Sequence, residues 1–333
     1  MRRPGSLILG VVSGLSWLGE WSAEAVRRTL SSSAPALAEG DLVLRGGLDA
    51  NPEWSSGSAV ASGRFLAKFA LSAPTARRLW HEARVLGALG GQPGLRLPRL
   101  VAVGHDPVHL VVALVVGGPL SYDLVSASTG GQVRRIGAEL AAFLAALHRP
   151  ATMTRVQAAL GLVGPPDPGP QATTGELRAR LGTWIRPGQA DLVRRWCDWA
   201  DQVLARPGSE VFVHGDLHGY NQVWDQDRRR LRVVVDLETS GAAEAEYDLR
   251  YVPALGPGVA LLTATARSYA ARTGQTLDLR RAMAWHVRTA LGDALWRSEA
   301  GLPLPDGGTP SGYVDQLAAR FDALRLGYPG FVT

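Results

Sequence analysis

One stretch constrains the fold of this chain more than any other part of its sequence: VFVHGDLHGYNQVWDQDRRRLRVVVDLETS. A β-type run at 210–213 leads into His-Gly-Asp at 214–216, and Asn221 follows five residues after the aspartate. A second β-type run, 231–235, ends at Asp236. The pattern predicts an acid, an amide and a second acid, each close to the end of a strand.

This trio suits the transfer of a phosphoryl group. In such reactions one carboxylate accepts the proton of the attacking hydroxyl, while an amide oxygen and a second carboxylate hold Mg²⁺ on the nucleotide phosphates. Asp and Asn also cap turns in many proteins, and Asp216 and Asn221 could have that role alone. Capping explains neither the His-Gly before Asp216 nor a second strand-terminal acid, Asp236, fifteen residues after Asn221.

These residues resemble the catalytic region of the aminoglycoside phosphotransferase and choline kinase group, which shares the protein-kinase-like fold. Members of the group carry His-Gly-Asp-x-x-x-x-Asn, then a strand ending in a metal-binding aspartate, and later Tyr-Asp-Leu, which stands here at 247–249. The resemblance implies that Asp216 is the catalytic base and that Asn221 and Asp236 bind Mg²⁺. It also implies that ATP or GTP is the phosphate donor.

The same resemblance implies supporting roles for four further residues. We expect Asp248 to be a buried brace for the catalytic loop, and His214 to support the loop backbone rather than take part in the chemistry. For His218 a structural role and a contact with the substrate both stay open. Glu238 stands where protein kinases have the Gly of Asp-Phe-Gly, and is expected to help the metal ion or to brace the loop.

The chain before this region predicts a separate lobe. Five short β-type runs and one strongly periodic helix, in APTARRLWHEARVLGALGG, precede the joint at Gly117. Most of the chain after that joint has helical patterns. The sequence therefore predicts an α+β, protein-kinase-like fold of two lobes, with a small antiparallel sheet and one key helix in residues 1–116 and a mainly helical lobe in residues 117–333.

The composition singles out one residue of the small lobe. Of 35 basic residues only Lys68 is a lysine, and it lies in the third β-type run, RFLAKFAL. The kinase fold requires a lysine on this strand, which pairs with the nucleotide phosphates and with a glutamate of the next helix. Glu82, fourteen residues further on, is that glutamate. A lysine retained at random would occupy this position in about one case of 35.

A glycine-rich turn before the second β-type run is the predicted cover of the nucleotide phosphates. Its candidate contacts are Gly47, Asn51 and Ser55. The turn lacks the G-x-G-x-x-G spacing of protein kinases, and Gly-rich loops join many hairpins.

Two other functions compete with a kinase. HGDLHG also fits the Gly-Asp-x-His-Gly of metallophosphoesterases, but the later Gly-Asp, at 292–293, precedes Ala-Leu-Trp-Arg, and no Gly-Asn-His occurs to complete a two-metal site. A nucleotide-binding pseudokinase without turnover is disfavoured because base, metal ligands, Lys68 and Glu82 are all present. No Ala-Pro-Glu pattern follows Asp236, which argues against a protein substrate.

The net charge and the hydropathy of the chain limit the classes of partner that we expect. A net charge of +5 over 333 residues is modest, and the densest basic run lies in a predicted hairpin, so we expect no nucleic-acid partner. No stretch reaches the roughly 18 uninterrupted apolar residues of a membrane span. Residues 2–19 imitate a short signal peptide, but Gly and Ser interrupt the apolar run and the site requires a cytosolic nucleotide, so we expect a cytoplasmic protein.

The acceptor is the least determined partner. Polycationic aminoglycosides call for a cluster of carboxylates, whereas the acids of the C-terminal part are scattered among arginines. We expect a small-molecule hydroxyl, in an antibiotic of the aminoglycoside, nucleoside or peptide type. A metabolite kinase of the choline or homoserine kinase type is the alternative.

Overall fold

The computed structural model describes residues 14–46, 56–167, 172–304 and 308–325. The chain forms two compact units: the first comprises Met1–Val116, Arg155–Leu162 and Val233–Glu238, and the second Gly117–Thr154, Val163–Arg232 and Thr239–Thr333. The first unit thus includes two segments that the sequence assigned to the larger lobe. Hydrogen bonds join both segments to the rest of this unit, since the Val234 amide donates to the Arg96 carbonyl at 2.8 Å and the Arg84 guanidinium donates to the Ala159 carbonyl.

The first unit is built on an antiparallel sheet. Its strands are β1 (Leu42–Arg45), β2 (Ser56–Ala61), β3 (Phe65–Ala70), β4 (Leu100–His105) and β5 (Val108–Ala113). They are ordered β1-β2-β3-β5-β4, with every neighbouring pair antiparallel. Its helices before Gly117 are α1 (Ala23–Ser33), α2 (Pro35–Ala38) and α3 (Ala73–Leu89).

Alternate residues of strand β3 point to two different faces of the sheet, one apolar and one that carries a charged side chain. Ala67 and Phe69 are fully buried and share one core with Val26 and Leu30 of α1. Successive side chains of a strand point to opposite faces, so Lys68, between those two residues, turns towards α3. The sequence predicted a helix around residues 21–30 but placed only one helix, α3, on this sheet; the structure also packs α1 on its apolar face, because that face has to be covered.

Helix α3 begins and ends where local signals require it. The Ser72 hydroxyl caps the helix by accepting the Thr75 amide at 3.3 Å, and Pro74 stands in the first turn. Gly90 follows the last helical residue. The apolar residues of its buried face hold the helix against the sheet and keep Glu82 buried beside Lys68.

The second unit is mainly helical. Its helices are α4 (Tyr122–Ser126), α5 (Gly130–Leu147), α6 (Pro150–Leu160), α7 (Thr174–Arg180), α8 (Ala190–Leu204), α9 (Ala260–Thr273), α10 (Leu279–Glu299) and α11 (Pro310–Leu324), with the last residues of α6 in the first unit. Its strands are β6 (Gly118–Pro119), β7 (Glu210–Val213), β8 (Gln222–Asp225), β9 (Arg230–Val234) and β10 (Gly241–Glu244), with the last residues of β9 in the first unit. Two small sheets have the orders β6-β8-β9 and β10-β7.

Close helix packing forms the core of this unit. Helix α5 approaches α9 at Gly137, where a Cβ atom would lie 2.9 Å from Ala264, so a larger residue would separate the helices. Trp196 of α8 stacks on Phe321 of α11, with the ring centroids 5.5 Å apart. Throughout the described part of the chain, no helix combines the length and the apolar character needed to cross a membrane.

Candidate active site

The catalytic loop of the second unit begins directly after β7. Gly215 has a φ of +86°, and a Cβ atom there would lie 2.4 Å from the Thr239 carbonyl oxygen. Both the conformation and the lack of space exclude any other residue. The turn therefore requires glycine immediately before Asp216, which explains the His-Gly-Asp order.

The buried carboxylate of Asp248 binds the backbone of this turn. Asp248 is fully buried, and its Oδ2 accepts the His214 amide at 3.0 Å while its Oδ1 accepts the Gly215 amide at 3.0 Å. His148 Nε2 lies 3.1 Å from the same Oδ2. Burial by itself would raise the pKa of Asp248, but the hydrogen bond and charge of His148 outweigh it and lower this pKa. These contacts are the ones expected of a residue that supports the catalytic loop, and this role stays a prediction.

The two histidines of the motif lie on either side of Asp216 along the chain. The ring of His214 is fully buried, and its Nδ1 accepts the Asp216 amide at 3.2 Å. His218 Nδ1 accepts the Tyr220 amide at 3.1 Å, while its Nε2 lies 3.4 Å from Asp216 Oδ2. Through this bond His214 contacts the loop backbone, whereas His218 reaches the carboxylate of the predicted base.

The Asp216 carboxylate is surrounded by hydrogen-bond donors. Tyr251 Oη lies 2.6 Å from Oδ1, and Arg250 Nη2 lies 3.6 Å from the same oxygen. Burial by itself would raise the pKa of Asp216. The contacts with His218, Arg250 and Tyr251 outweigh burial and hold this pKa well below its ordinary value. Asp216 is therefore an anion throughout the neutral range, with its side chain 31% exposed.

Asn221 is tied to the same aspartate. Its Nδ2 donates to the Asp216 carbonyl at 2.9 Å and lies 3.3 Å from Asp216 Oδ2. Since both side-chain protons are directed at Asp216, the amide oxygen is the atom of Asn221 that is left to bind a cation.

Lys68 is the centre of the charged cluster in the first unit. Its Nζ donates to Glu82 Oε2 at 2.6 Å and to Asp236 Oδ1 at 2.8 Å. Burial by itself would lower the pKa of Lys68. The negative charges of Asp236 and Glu82 outweigh that effect and raise this pKa well above its ordinary value, so the side chain is a cation.

Asp236 and Glu238 complete this cluster. Asp236 adopts a left-handed conformation, with a φ of +71°, at the point where the chain turns away from β9. Glu238 Oε1 lies 3.8 Å from Arg78 Nε. Burial and the negative charge of Asp236 raise the pKa of Glu238 to about 8.

The donor set fits a magnesium ion. Within the described residues, the carboxylates of Glu82, Asp236 and Glu238 can each offer one oxygen such that all three atoms lie within 4.8 Å of one another. Hard oxygen ligands are those that Mg²⁺ takes in proteins. Lys68 occupies one oxygen of Glu82 and one of Asp236, and the Glu82 carboxylate also accepts a hydrogen bond from the backbone of Leu237. Asp236 Oδ2 and the Glu238 carboxylate are therefore the donors left to a cation.

The structure divides the predicted site residues between the two units. Lys68, Glu82, Asp236 and Glu238 belong to the first unit, and His214, Asp216, His218, Asn221 and Asp248 to the second. Three predicted phosphate contacts, Gly47, Asn51 and Ser55, lie outside the described residues. All of these functional roles stay predictions.

Sequence reasoning missed three residues that the structure brings to the catalytic loop. Arg250 and Tyr251 contact Asp216, and His148 contacts Asp248. Arg250 and Tyr251 immediately follow the Tyr-Asp-Leu element, and this adjacency was a usable signal. His148, at the end of α5, gave none, because it lies 100 residues from its partner in the chain.

The architecture is that of the antibiotic phosphotransferases of known structure. The GDP complex of wild-type aminoglycoside 2′-phosphotransferase-IIIa matches with a TM-score of 0.62 and 16% identity, over 91% of this chain and 97% of that one. Macrolide 2′-phosphotransferase MphH from Brachybacterium faecium matches with a TM-score of 0.55 and 19% identity, over 91% and 99%. The streptomycin–ATP complex of APH(2″)-IIa gives 0.53 and 13%, over 82% and 92%. The predicted α+β, protein-kinase-like fold is thereby confirmed.

The family follows from the sequence itself. The model of the phosphotransferase enzyme family, APH, matches residues 52–299, which are 248 of the 333 residues. The chain therefore belongs to the phosphotransferase enzyme family. This confirms the predicted resemblance and the prediction of an enzyme of the phosphotransferase class, and it decides against a metallophosphoesterase. No curated protein matches the chain in sequence.

Proposed function

We propose that the protein transfers the γ-phosphate of ATP or GTP to a hydroxyl group of a small molecule, and that the acceptor is an antibiotic. Its family supports phosphoryl transfer. Structural neighbours described as complexes with GDP and with ATP support a nucleotide as the donor. Because these nucleotides are cytosolic, the proposal includes a cytoplasmic location.

The observation that carries the proposal is the position of Lys68. The only lysine of the chain bonds both to Glu82 and to the motif aspartate Asp236. In protein kinases a lysine held by a helix glutamate binds the nucleotide phosphates, and the aspartate holds Mg²⁺. A lysine with a purely structural role would need neither the helix glutamate nor the motif aspartate as its partner.

Asp216 then acts on the acceptor. The acceptor hydroxyl donates its proton to the Asp216 carboxylate while its oxygen attacks the γ-phosphorus and the bond from that phosphorus to the bridging oxygen breaks. The nucleoside diphosphate leaves with the electron pair of that bond. Since the transition state of phosphoryl transfer is loose, Asp216 contributes mainly by orienting the hydroxyl, and a low pKa does not disable it.

The metal ligands in this proposal are Asn221 and Asp236, with Glu238 as a further carboxylate beside Asp236. When bound, Mg²⁺ neutralises the charge of the phosphates and of the leaving group. The amide oxygen of Asn221 and the second carboxylate oxygen of Asp236 are of the type that this ion requires.

Ion pairing in the helical unit favours an acceptor with few positive charges. Three acids of α10 and α11 are each bonded to an arginine: Asp293 to Arg297 at 2.9 Å, Glu299 to Arg180 at 2.8 Å, and Asp315 to Arg186 at 2.6 Å. Acids already paired with arginine attract the ammonium groups of a polycation weakly. Macrolides or nucleoside and peptide antibiotics therefore fit better than polyamine aminoglycosides.

A phosphate-transfer screen tests the proposal. Purified protein is incubated with Mg²⁺ and γ-labelled ATP or GTP in the presence of macrolides, aminoglycosides, nucleoside and peptide antibiotics, choline and homoserine. We expect a labelled product with an antibiotic that carries at most one or two amines, and none with the Asp216→Asn variant. Transfer to choline or homoserine alone would make the protein a metabolite kinase. Hydrolysis of the nucleotide without any acceptor preference would contradict the proposal.

A further inference from the structure

The hydrogen bond between Tyr251 and Asp216 is the closest polar contact of the predicted base. Its length of 2.6 Å compares with 3.3 Å to Asn221 Nδ2 and 3.4 Å to His218 Nε2. The two sets of contacts fall on different oxygens, since Tyr251 meets Oδ1, whereas Asn221 and His218 meet Oδ2. The two oxygens of Asp216 therefore have different surroundings.

The direction of the short bond follows from the protons available. Arg250 Nη2 donates to Tyr251 Oη at 3.2 Å, and a guanidinium can only donate. The tyrosine hydroxyl has one proton, and the carboxylate oxygen beside it accepts hydrogen bonds only. Tyr251 therefore accepts from Arg250 and donates to Asp216 Oδ1. Because the carboxylate is charged, the hydrogen bond from the Tyr251 hydroxyl to Asp216 Oδ1 is a strong one.

Arg250 is itself fixed in place. It is buried, and its Nη2 also donates to the Gly215 carbonyl. Its guanidinium carbon lies 4.1 Å from the centre of the Tyr247 ring and 4.5 Å from that of the Tyr251 ring. The Arg250 carbonyl in turn is 2.7 Å from His286 Nδ1 of α10. Tyr251 is thus oriented by Arg250, which is itself held by the catalytic-loop backbone and two tyrosine rings.

We propose that Tyr251 is a positioning residue that anchors Oδ1 of Asp216 and so leaves Oδ2 to receive the proton of the acceptor hydroxyl. This inference rests on the proposed function, because it takes Asp216 as the base. In the transfer step the acceptor proton moves to Oδ2, the acceptor oxygen bonds to the γ-phosphorus, and the nucleoside diphosphate departs. The longer contacts at Oδ2 leave room in its hydrogen bonding for an incoming hydroxyl, since a carboxylate oxygen accepts more than one bond.

The Tyr251→Phe variant tests the inference, because it removes the hydroxyl and keeps the ring that packs on Arg250. We expect kcat to fall about 10- to 100-fold, the worth of one hydrogen bond to a charged group. The dissociation constant of the nucleotide and the KM of the acceptor stay within about twofold of the wild-type values, because neither depends on the orientation of Oδ1. Tyr122→Phe, which removes a half-exposed tyrosine hydroxyl from α4, is the matched control.

A second comparison asks whether Tyr251 acts through Asp216. Residual transfer is followed with labelled nucleotide over hours in the single variant Asp216→Asn and in the double variant Asp216→Asn with Tyr251→Phe. If Tyr251 positions the carboxylate, its removal causes no further loss beyond about twofold once the carboxylate is gone. A further loss comparable to that in the wild-type background would overturn the inference.

The outcomes also separate this inference from the proposed function. An unchanged kcat in Tyr251→Phe, with Asp216→Asn strongly impaired, would overturn the role of Tyr251 and leave Asp216 as the base. Near wild-type turnover in Asp216→Asn would overturn the base assignment itself. A lower unfolding temperature together with weaker nucleotide binding in Tyr251→Phe, but not in Tyr122→Phe, would make Tyr251 a structural residue and overturn the positioning role.

Discussion

The two units of the molecule hold their charged groups in opposite ways. In the first unit Lys68 lies among three carboxylates, two of which bond it directly, while the third, Glu238, lies 3.8 Å from Arg78. In the second unit one carboxylate, Asp216, lies among donors that are neutral or buried, of which Tyr251 is the closest. Acids are in excess in one cluster, and donors are in excess in the other.

This difference fits two different tasks. A surplus of carboxylates attracts a divalent cation and, through it, the phosphates of a nucleotide. A single carboxylate with a surplus of donors stays ionised and keeps a fixed orientation, as the partner of a hydroxyl must. The first cluster is therefore organised by charge and the second by hydrogen-bond direction. Substitutions in the first should weaken the use of nucleotide and metal, and those in the second should lower turnover.

The largest effect is expected at the centre of the second cluster. Asp216→Asn keeps the shape of the side chain but removes the anion that orients the acceptor hydroxyl and receives its proton, so we expect turnover to fall by at least about 1,000-fold. Nucleotide affinity, measured by calorimetry, stays within about threefold. Asp227→Asn, an exposed neighbour in the following hairpin, is the control and keeps full activity. Equal loss of nucleotide binding in Asp216→Asn would erase the distinction between the clusters.

Lys68→Arg tests the first cluster with the charge preserved. The planar guanidinium cannot replace a compact ammonium that bonds Glu82 and Asp236 in a buried position. We expect kcat/KM for the nucleotide to fall about 10- to 100-fold, with little change in the KM of the acceptor. The exposed Arg64→Lys swap, in the turn before β3, is the matched control. Unchanged kinetics in Lys68→Arg would show that charge alone suffices there.

His286, which contacts the Arg250 carbonyl, should make the stability of the folded protein sensitive to acid. Burial, reinforced by the charge of Arg320, lowers the pKa of His286 from 6.5 to about 3. Between these values the unfolded chain takes up a proton that the folded protein refuses, so stability falls as the pH falls. From about pH 7.5 to pH 5 this histidine costs about 2 kcal/mol of unfolding free energy.

The His286→Asn variant measures that contribution by urea unfolding at both pH values. The amide of asparagine can still donate to the Arg250 carbonyl, but it does not titrate. We therefore expect the wild-type protein to lose about 2 kcal/mol more than the variant between about pH 7.5 and pH 5. Equal losses in the two proteins would mean that His286 is charged in the folded state.

The smallest effect is expected from Glu238→Gln. This change removes one of the three carboxylates while Lys68 keeps its bonds to the other two. We expect the Mg²⁺ concentration for half-maximal activity to rise about 3- to 10-fold, without loss of unfolding temperature. Glu20→Gln, at an exposed position in the same unit, controls for the change in net charge. An unaltered Mg²⁺ requirement would remove Glu238 from the metal site.

Local patterns were enough to predict most of the site. The glycine required at 215 follows from the turn itself, and the distance from Asp216 to Asn221 is a property of one short loop. Lys68 and Glu82 were found because a strand and the helix after it have regular spacings. The position of Tyr251 just after the Tyr-Asp-Leu element placed it near the motif, but it did not predict the bond to Asp216, because hydrogen-bond direction depends on how Arg250 is packed.

The sequence by itself determined the family, the α+β fold and the choice of residues proposed to carry the chemistry, because strand, loop and helix signals and motif spacings are local properties of the chain. The tertiary structure decided which of these residues touch. Lys68 meets an aspartate 168 residues away, and Asp248 meets a histidine 100 residues away. Such contacts are set by the packing of whole helices and sheets. This packing fixes the directions of side chains and the distances between them, which cannot be read from spacings along the chain.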